Sequence, residues 1–425
     1  MPDDTLPPPP RPAARTENGD DPRAFLTLNA GSSSLKVALY GARDDHPLVT
    51  GQADRIGPEG TLTLRDGTGR ALEIAPGDLG SHEGALACAI ASIRADLPGL
   101  ELAAIGHRVV HGGADYTAPV VLSAPILDDL AKLAPFAPLH QPHNIAGVRA
   151  AMAAFPGVPQ VACFDTAFHR GQPFVNDTFA LPHRYYEKGV RRYGFHGLSY
   201  EYVTGEVARI APHLMAGRMV VAHLGNGASM CAIHRGRSVA SSMGFSALDG
   251  LPMGTRCGQL DPGVLLYMFD QEHLTTAQMR QILYNESGLL GLSGGLSNDM
   301  RTLEAADTPE SHRAIDYFVF RVQRELGAMA AVMGGIDALV FCGGIGENSR
   351  VVRRRICERL GWMGIEIDHG RNAQGATIIS SEFARTTVMI VPTHEDLVIA
   401  RAARAAVGIA EVGITAPEDA APTQA

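Results

Sequence analysis

Three short runs of small residues stand where backbone amides could approach phosphate oxygens. Asn29-Ala30-Gly31-Ser32-Ser33-Ser34-Leu35-Lys36 adds hydroxyls, an amide and a cation to a turn free of bulky side chains. His223-Leu224-Gly225-Asn226-Gly227-Ala228-Ser229 is a second such turn, and Gly343-Gly344-Ile345-Gly346-Glu347-Asn348 is a third. Small residues let N–H groups reach an anion without side-chain obstruction. One glycine turn is usually structural; three in one chain, two of them related, point towards a nucleotide. There is no GxxxxGK[ST] phosphate loop and no protein-kinase motif set, and Gly343-x-x-Gly346 falls short of the dinucleotide GxGxxG.

The elements that must position these turns can be read from hydropathy. Phe25 to Leu28 and Leu35 to Tyr40 flank the first turn as strands, and Met219 to Leu224 and Met230 to Ile233 flank the second. Each is strand, turn, strand, and two copies nearly two hundred residues apart imply a duplicated domain. Ala103 to Val110, Gln160 to Phe164, Ala338 to Cys342 and Thr387 to Val391 read as buried strands. Ile315, Phe318, Val319, Val322, Leu326 and Met329 recur at helical spacing, so a long helix ends near Gly334-Gly335, and Glu395 opens a last helix to about Val407. The class is α/β, with polar residues gathered at strand ends, where open α/β sheets bind ligands.

Composition narrows the function. The chain has 425 residues, enough for more than one core, and a formal charge of −9, which argues against nucleic acid as a partner. Arg353-Arg354-Arg355 reads as a solvated helix face. Six scattered cysteines without a CxxC pair read as reduced thiols, no apolar run approaches membrane-spanning length, and cytoplasmic placement follows. Residues 1–22, with Pro7 to Pro10, and residues 412–425 carry too little apolar surface to order, and are expected as disordered tails.

The resemblance becomes specific when the motifs are taken together. Asn29–Lys36, Gly106-His-Arg-Val-Val-His-Gly-Gly113, Phe164-Asp-Thr-Ala-Phe-His169, Tyr193-Gly-Phe-His-Gly197, His223–Ser229, Ser242-Met-Gly-Phe245, Met253-Gly-Thr-Arg-Cys-Gly258 and Gly344-Ile-Gly-Glu-Asn-Ser349 follow the order seen in acetate kinases. The match covers the chain between its tails. It implies two duplicated ribonuclease-H-like (actin-like ATPase) domains with an interdomain active-site cleft: domain I at 23–168 plus 394–411, and a nucleotide-binding, dimerising domain II at 169–393. It also implies ATP-dependent, reversible phosphorylation of a short-chain carboxylate by in-line transfer, with Mg²⁺ (or Mn²⁺) and a homodimer.

A carboxylate is already ionised near neutrality, so this reaction needs positioning and cationic stabilisation rather than a base. By resemblance, Arg108 and Arg256 are the active-site arginines, His196 hydrogen-bonds the transferring group and Asp165 is the catalytic aspartate. Asn29 and Glu395 lie at the metal. Val110, Leu139, Phe195 and Ala247 wall the acyl pocket. Ser34, Lys36, His223, Asn226, Gly227, Gly344, Ile345, Gly346 and Asn348 contact the nucleotide. Taken singly, the arginines read as ion-pair partners and His196 and Asp165 as buried polar residues. Motifs of this length reverse that reading. Glu347 and Ser349 are explained as well by helix capping.

Some positions depart from the family pattern. Ala247 stands where a proline commonly lines the acyl pocket, so appreciable propionate activity is expected. Ala240 and Gln259 replace acidic residues, and His394 and Asp396 flank Glu395 where Asn and Glu are usual. The rival readings are a propionate or butyrate kinase, a sugar-kinase-like phosphotransferase, a silent ATP-binding regulator, and a zinc hydrolase. The last is disfavoured because His107 and His111 lie too far apart on a strand to share a metal, and no HExxH occurs.

Overall fold

The computed structural model describes residues 21–31, 33–138 and 140–409. The tails expected at 1–22 and 412–425 lie outside these residues, apart from residues 21 and 22, and so does Leu139. Packing groups the chain into two compact units. Unit 1 holds the described chain up to Arg108, His143–Ala162 and the chain from Ile399; unit 2 holds Val109–Pro142 and Cys163–Val398. This grouping by contacts is a different partition from the division at residues 168 and 169 drawn from the duplication.

Unit 1 begins with an antiparallel meander of β1 (Arg23–Ala30), β2 (Leu35–Gly41), β3 (Pro47–Asp54) and β4 (Thr61–Asp66). β5 (Glu101–Val109) joins β1 in parallel, and after a short β6 (Val120–Val121) the chain forms β7 (Gln160–Phe164), next to β5 in the order β4-β3-β2-β1-β5-β7. Leu26, Leu28, Val37, Leu39 and Ile105 face Leu86, Ala89 and Ile93 of the helix His82–Asp96. Two side chains fasten the first turn. Asn144 Nδ2 donates to the carbonyl of Ala30 at 2.8 Å, and His82 Nε2 donates to that of Gly31 at 2.7 Å.

Unit 2 repeats the plan with β8 (Arg218–Leu224), β9 (Ala228–His234), β10 (Arg237–Ser241), β11 (Ala338–Cys342) and β12 (Thr387–Ile390), in the order β10-β9-β8-β11-β12. The first three strands are antiparallel and the last two run parallel to β8. The order β10-β9-β8-β11-β12 is matched in the seven-stranded first sheet by β3-β2-β1-β5-β7, to which β4 and β6 are added at the two edges. The two strand-turn-strand passages are thus the opening hairpins of equivalent sheets. Strand alternation serves two helices in unit 2. Val220, Leu339, Phe341 and Val388 face Phe318, Val322 and Leu326 of Pro309–Met333, whereas Val221, Val340 and Met389 face Tyr200, Val203 and Val207 of Gly197–Ile210.

One expectation is corrected. Arg354 and Arg355 reach solvent, but Arg353 is 1% exposed. Its guanidinium donates to the carbonyls of Gly346 and Glu347, each at 2.8 Å, and to Asn372 Oδ1 at 2.8 Å and Asn372 O at 3.0 Å. Helical periodicity sets position 353 one residue after buried Val352 and turns it inwards, and the four acceptors compensate its desolvation. Arg353→Ala is expected to cost about 3 kcal/mol, because buried acceptors lose their donor. The measurement is the shift in urea midpoint, accompanied by a raised KM for ATP, since two of those acceptors belong to the Gly343–Asn348 turn.

Candidate active site

The second and third small-residue turns come together at the carboxyl ends of β8 and β11, where Cys342 pairs with His223. A Cβ placed on Gly225 would stand 3.7 Å from the amide nitrogen of Gly344. Glu347 Oε1 accepts from Gly343 N at 2.8 Å and from Thr393 N at 3.2 Å, tying the third turn to the segment that leads to Glu395. Glu347 is therefore a fastener of this turn, and Ser349 caps Arg350–Cys357 by accepting from Val352 N. Asn348 Nδ2 bonds the carbonyl of Gly344 at 2.9 Å, and the carbonyl of Asn226 accepts from Gly254 N at 3.0 Å.

Around Gly227 two residues of unit 2, Arg256 and His196, come together. A methyl there would lie 2.9 Å from Arg256 Nη2 and 3.1 Å from His196 Nε2, so only the absence of a side chain lets a guanidinium and an imidazole flank one backbone turn. The rings of His196 and His223 stack with centroids 4.3 Å apart, and His196 Nδ1 lies 2.8 Å from Ser229 Oγ. Arg256 Nη1 donates to the carbonyl of Ala247 at 2.8 Å.

His196 has left-handed backbone angles, φ 57° and ψ 26°, immediately before the helix Gly197–Ile210. Such a conformation costs a non-glycine residue about 1–2 kcal/mol and persists only where its surroundings over-determine it. The next residue must be glycine, since a Cβ on Gly197 would meet the carbonyl oxygen of Asp165 at 2.3 Å. That carbonyl instead accepts Gly197 N at 2.8 Å. On the other side, His169 Nε2 lies 3.0 Å from the carbonyl of Phe195 and its Nδ1 lies 2.9 Å from Ser238 Oγ, which accepts from Gln172 Nε2 at 2.9 Å. A carbonyl only accepts, so Nε2 carries the proton, Nδ1 accepts, and Ser238 donates. Arg170 donates to the carbonyls of Arg192 and Tyr193 at 2.8 and 3.0 Å.

Two acidic residues are tied to the same helix start, one through its backbone and one through its side chain. Asp165 is buried and bonds Gly197 through its backbone, while Ser199 Oγ, two residues on, donates to Glu395 Oε1. Among the described residues no three His, Cys, Asp or Glu side chains gather as a metal site.

Phe195 and Val110, both buried, line a small, mainly apolar pocket together with Ala247. Phe136, Pro138, His140 and Tyr284 complete its walls and were not singled out from the sequence. Behind the pocket, His111 packs on Tyr193, Phe136 and Phe195 with centroids 4.4, 5.5 and 5.8 Å away. In unit 1, Asn29 pairs in register with Lys36 at the first turn, Lys36 is exposed, Ser34 closes the turn by accepting Gly31 N at 2.8 Å, and Arg108 stands near the end of β5 beside buried His107. His107 Nε2 lies 2.7 Å from Gln160 Oε1, and His111 Nδ1 accepts from Gly113 N at 2.9 Å, so each histidine has a structural partner.

The comparisons with known proteins agree with the motifs. The model described as the acetokinase family matches residues 24–401. An acetate kinase of Methylocella silvestris is 56% identical over 391 residues, covering 89% of this chain and 96% of that one. The crystal structure of Porphyromonas gingivalis acetate kinase matches with a TM-score of 0.82 and 36% identity, over 90% of this chain and 99% of that chain. A propionate kinase from Francisella tularensis matches with the same TM-score, 35% identity and the same coverage.

His169→Phe keeps a ring but removes the donor to Phe195, and a fall in kcat of about tenfold with little change in KM for ATP is expected from misplacement of His196. His169→Gln, which can donate again, is expected to recover most of it. Burial also holds His111 down to about 3 and His169 down to about 4, from 6.5. Between those values the unfolded chain binds more protons, so stability is full above pH 6.5 and declines as pH falls towards 4. Urea midpoints measured from pH 7.5 to 4.5 check this.

Proposed function

Because the chain belongs to the acetokinase family, we propose that it transfers the γ-phosphoryl group of ATP to acetate, giving acetyl phosphate and ADP, and also runs the reverse reaction. The observation that carries this is the flanking of Gly227 by Arg256 and His196, with Arg256 bonded to a wall residue of a small apolar pocket. The pocket would take the methyl group. Acetate is itself the nucleophile, so the chain's residues need supply only orientation and charge.

In this reading the turns at 225–227 and 343–348 hold the nucleotide, with Ser34 and Lys36 contributing from the first turn. Arg256 and His196 stabilise the transferring group as its charge redistributes. Arg108 orients the carboxylate, an assignment supported by its motif. Asp165 and Glu395, together with Asn29, would hold Mg²⁺. When bound, the ion would neutralise phosphate charge, and the acidic character of Asp165 and Glu395, each tied to the start of Gly197–Ile210, supports this choice of donors. Ala247 in place of the family's common proline supports propionate as a secondary substrate. One methylene in such a pocket is worth only about 1–3 kcal/mol, so a relaxed preference is favoured over a switch.

A homodimer accords with the helix Pro262–Asp270, which has no buried residue and exposes Leu266, Tyr267 and Phe269 by 64%, 56% and 57%. A large apolar patch of this kind marks an interaction surface. No helix among the described residues is long and apolar enough to cross a membrane, and the cytoplasm is the proposed location.

Trapping with hydroxylamine separates this activity from sugar phosphorylation, because only an acyl phosphate yields a hydroxamate. Hydroxamate should form with ATP, Mg²⁺ and acetate, and Arg256→Ala should lower kcat about a hundredfold or more. Formation of a stable sugar phosphate without hydroxamate would overturn the proposal. Leu266→Glu with Phe269→Glu should halve the mass measured by light scattering.

A further inference from the structure

Three sides of the apolar pocket are rigid. Phe136 stacks with Tyr193 at 5.9 Å and meets Phe245 edge-on at 5.2 Å, while His111 backs both Phe136 and Phe195. Val110 and Phe195 are 7% and 2% exposed. Side chains in so interlocked a cluster cannot yield to a longer substrate without disturbing several rings.

The remaining side is different. Ala247 offers a single methyl, whose carbonyl is engaged by Arg256. Beside it the wall is Tyr284. This tyrosine lies in the only π-helical turn among the described residues, Ile282–Glu286, and such turns place one extra residue in a helix and re-aim its side chains. Its backbone is held by two bonds. Thr255 Oγ1 donates to its carbonyl at 2.8 Å, and Cys257 N donates to the carbonyl of Leu283 at 3.1 Å. The segment 253–257 that carries Arg256 thus also fixes the tyrosine.

From this we infer that Tyr284 is the specificity-determining residue on the open side of the acyl pocket: its ring occupies space that the small Ala247 leaves, and so sets how long an acid the pocket accepts. The inference rests on the pocket being the acyl site. It locates the limit to chain length at a position outside the expected wall set of Val110, Leu139, Phe195 and Ala247. It also makes a definite division of labour: the ring, and not the phenolic hydroxyl, excludes the extra methylene.

The test compares kcat/KM for acetate, propionate and butyrate in the hydroxamate assay, for the full chain and for Tyr284→Ala, Tyr284→Phe and Val110→Ala. Tyr284→Ala should lower the acetate-to-propionate ratio by about tenfold or more, chiefly by improving propionate, and should make butyrate measurable. Tyr284→Phe should leave that ratio within about threefold of the parent, since it keeps the ring. Val110→Ala reports on the pocket itself and should also shift the ratio. If Val110→Ala shifts it and Tyr284→Ala does not, the role of Tyr284 is overturned while the acyl pocket stands. If neither shifts it, the pocket is not the acyl site and both readings fall. Should Tyr284→Ala not fold, Tyr284→Leu gives the same comparison, with a smaller rise for propionate expected and an unchanged ratio again overturning the inference.

Discussion

The site in unit 2 depends on one backbone constraint, the left-handed turn at His196. With ordinary helical angles at that residue, Phe195 could not face the apolar pocket while the imidazole stands over Gly227 and the helix Gly197–Ile210 starts at once. Left-handed backbone is unfavourable for histidine, so the neighbouring contacts must hold it. They do so from both sides: His169 grips the carbonyl of Phe195, and Asp165 receives the amide of Gly197. One turn thereby sets the pocket wall, the imidazole and the helix start that bonds the Asp165 carbonyl and the Glu395 carboxylate.

Charge in the site is handled by a related economy of groups. No ionisable side chain has to act as a base towards a carboxylate substrate, and the buried histidines around the pocket accordingly serve as neutral wedges and donors. Desolvation keeps His111 and His169 uncharged, which suits an interior already holding Arg170. The cationic work is left to arginine, whose charge persists under the same conditions. Arg353 illustrates the structural counterpart, a buried guanidinium that spends its donors on the carbonyls of the third turn rather than on a ligand.

The sheets explain why such different side chains reach one place. In unit 2, β8 and β11 are adjacent and parallel, so the turns after them emerge side by side. Hairpin β8–β9 returns at once, leaving 225–227 as a tight loop, whereas β11 passes directly into helix. The corresponding strands β2-β1-β5 give the first turn an equivalent start, with its carbonyls fastened by Asn144 and His82. Duplication thus explains the related turns, and divergence after the hairpins explains why their surroundings differ.

Much of this was legible in the sequence because it depends on local chemistry. Strands at 160–164 and 338–342, the helix ending before Gly334, and the small-residue turns are written in hydropathy, periodicity and glycine placement, and motif order identified the family. Arg353 was misread because its neighbours are charged and only the burial of its helix face decides its environment. His169 lay inside a quoted motif, yet its role required knowing that residue 195 folds back against it. Tyr284 carried no signal, since a π turn and a shared pocket with a residue 37 positions away exist only after folding. Sequence alone determined which groups were available and which backbone each segment favours; tertiary structure alone decided which of them share a cavity, because proximity between distant segments follows from packing, which local propensity does not encode.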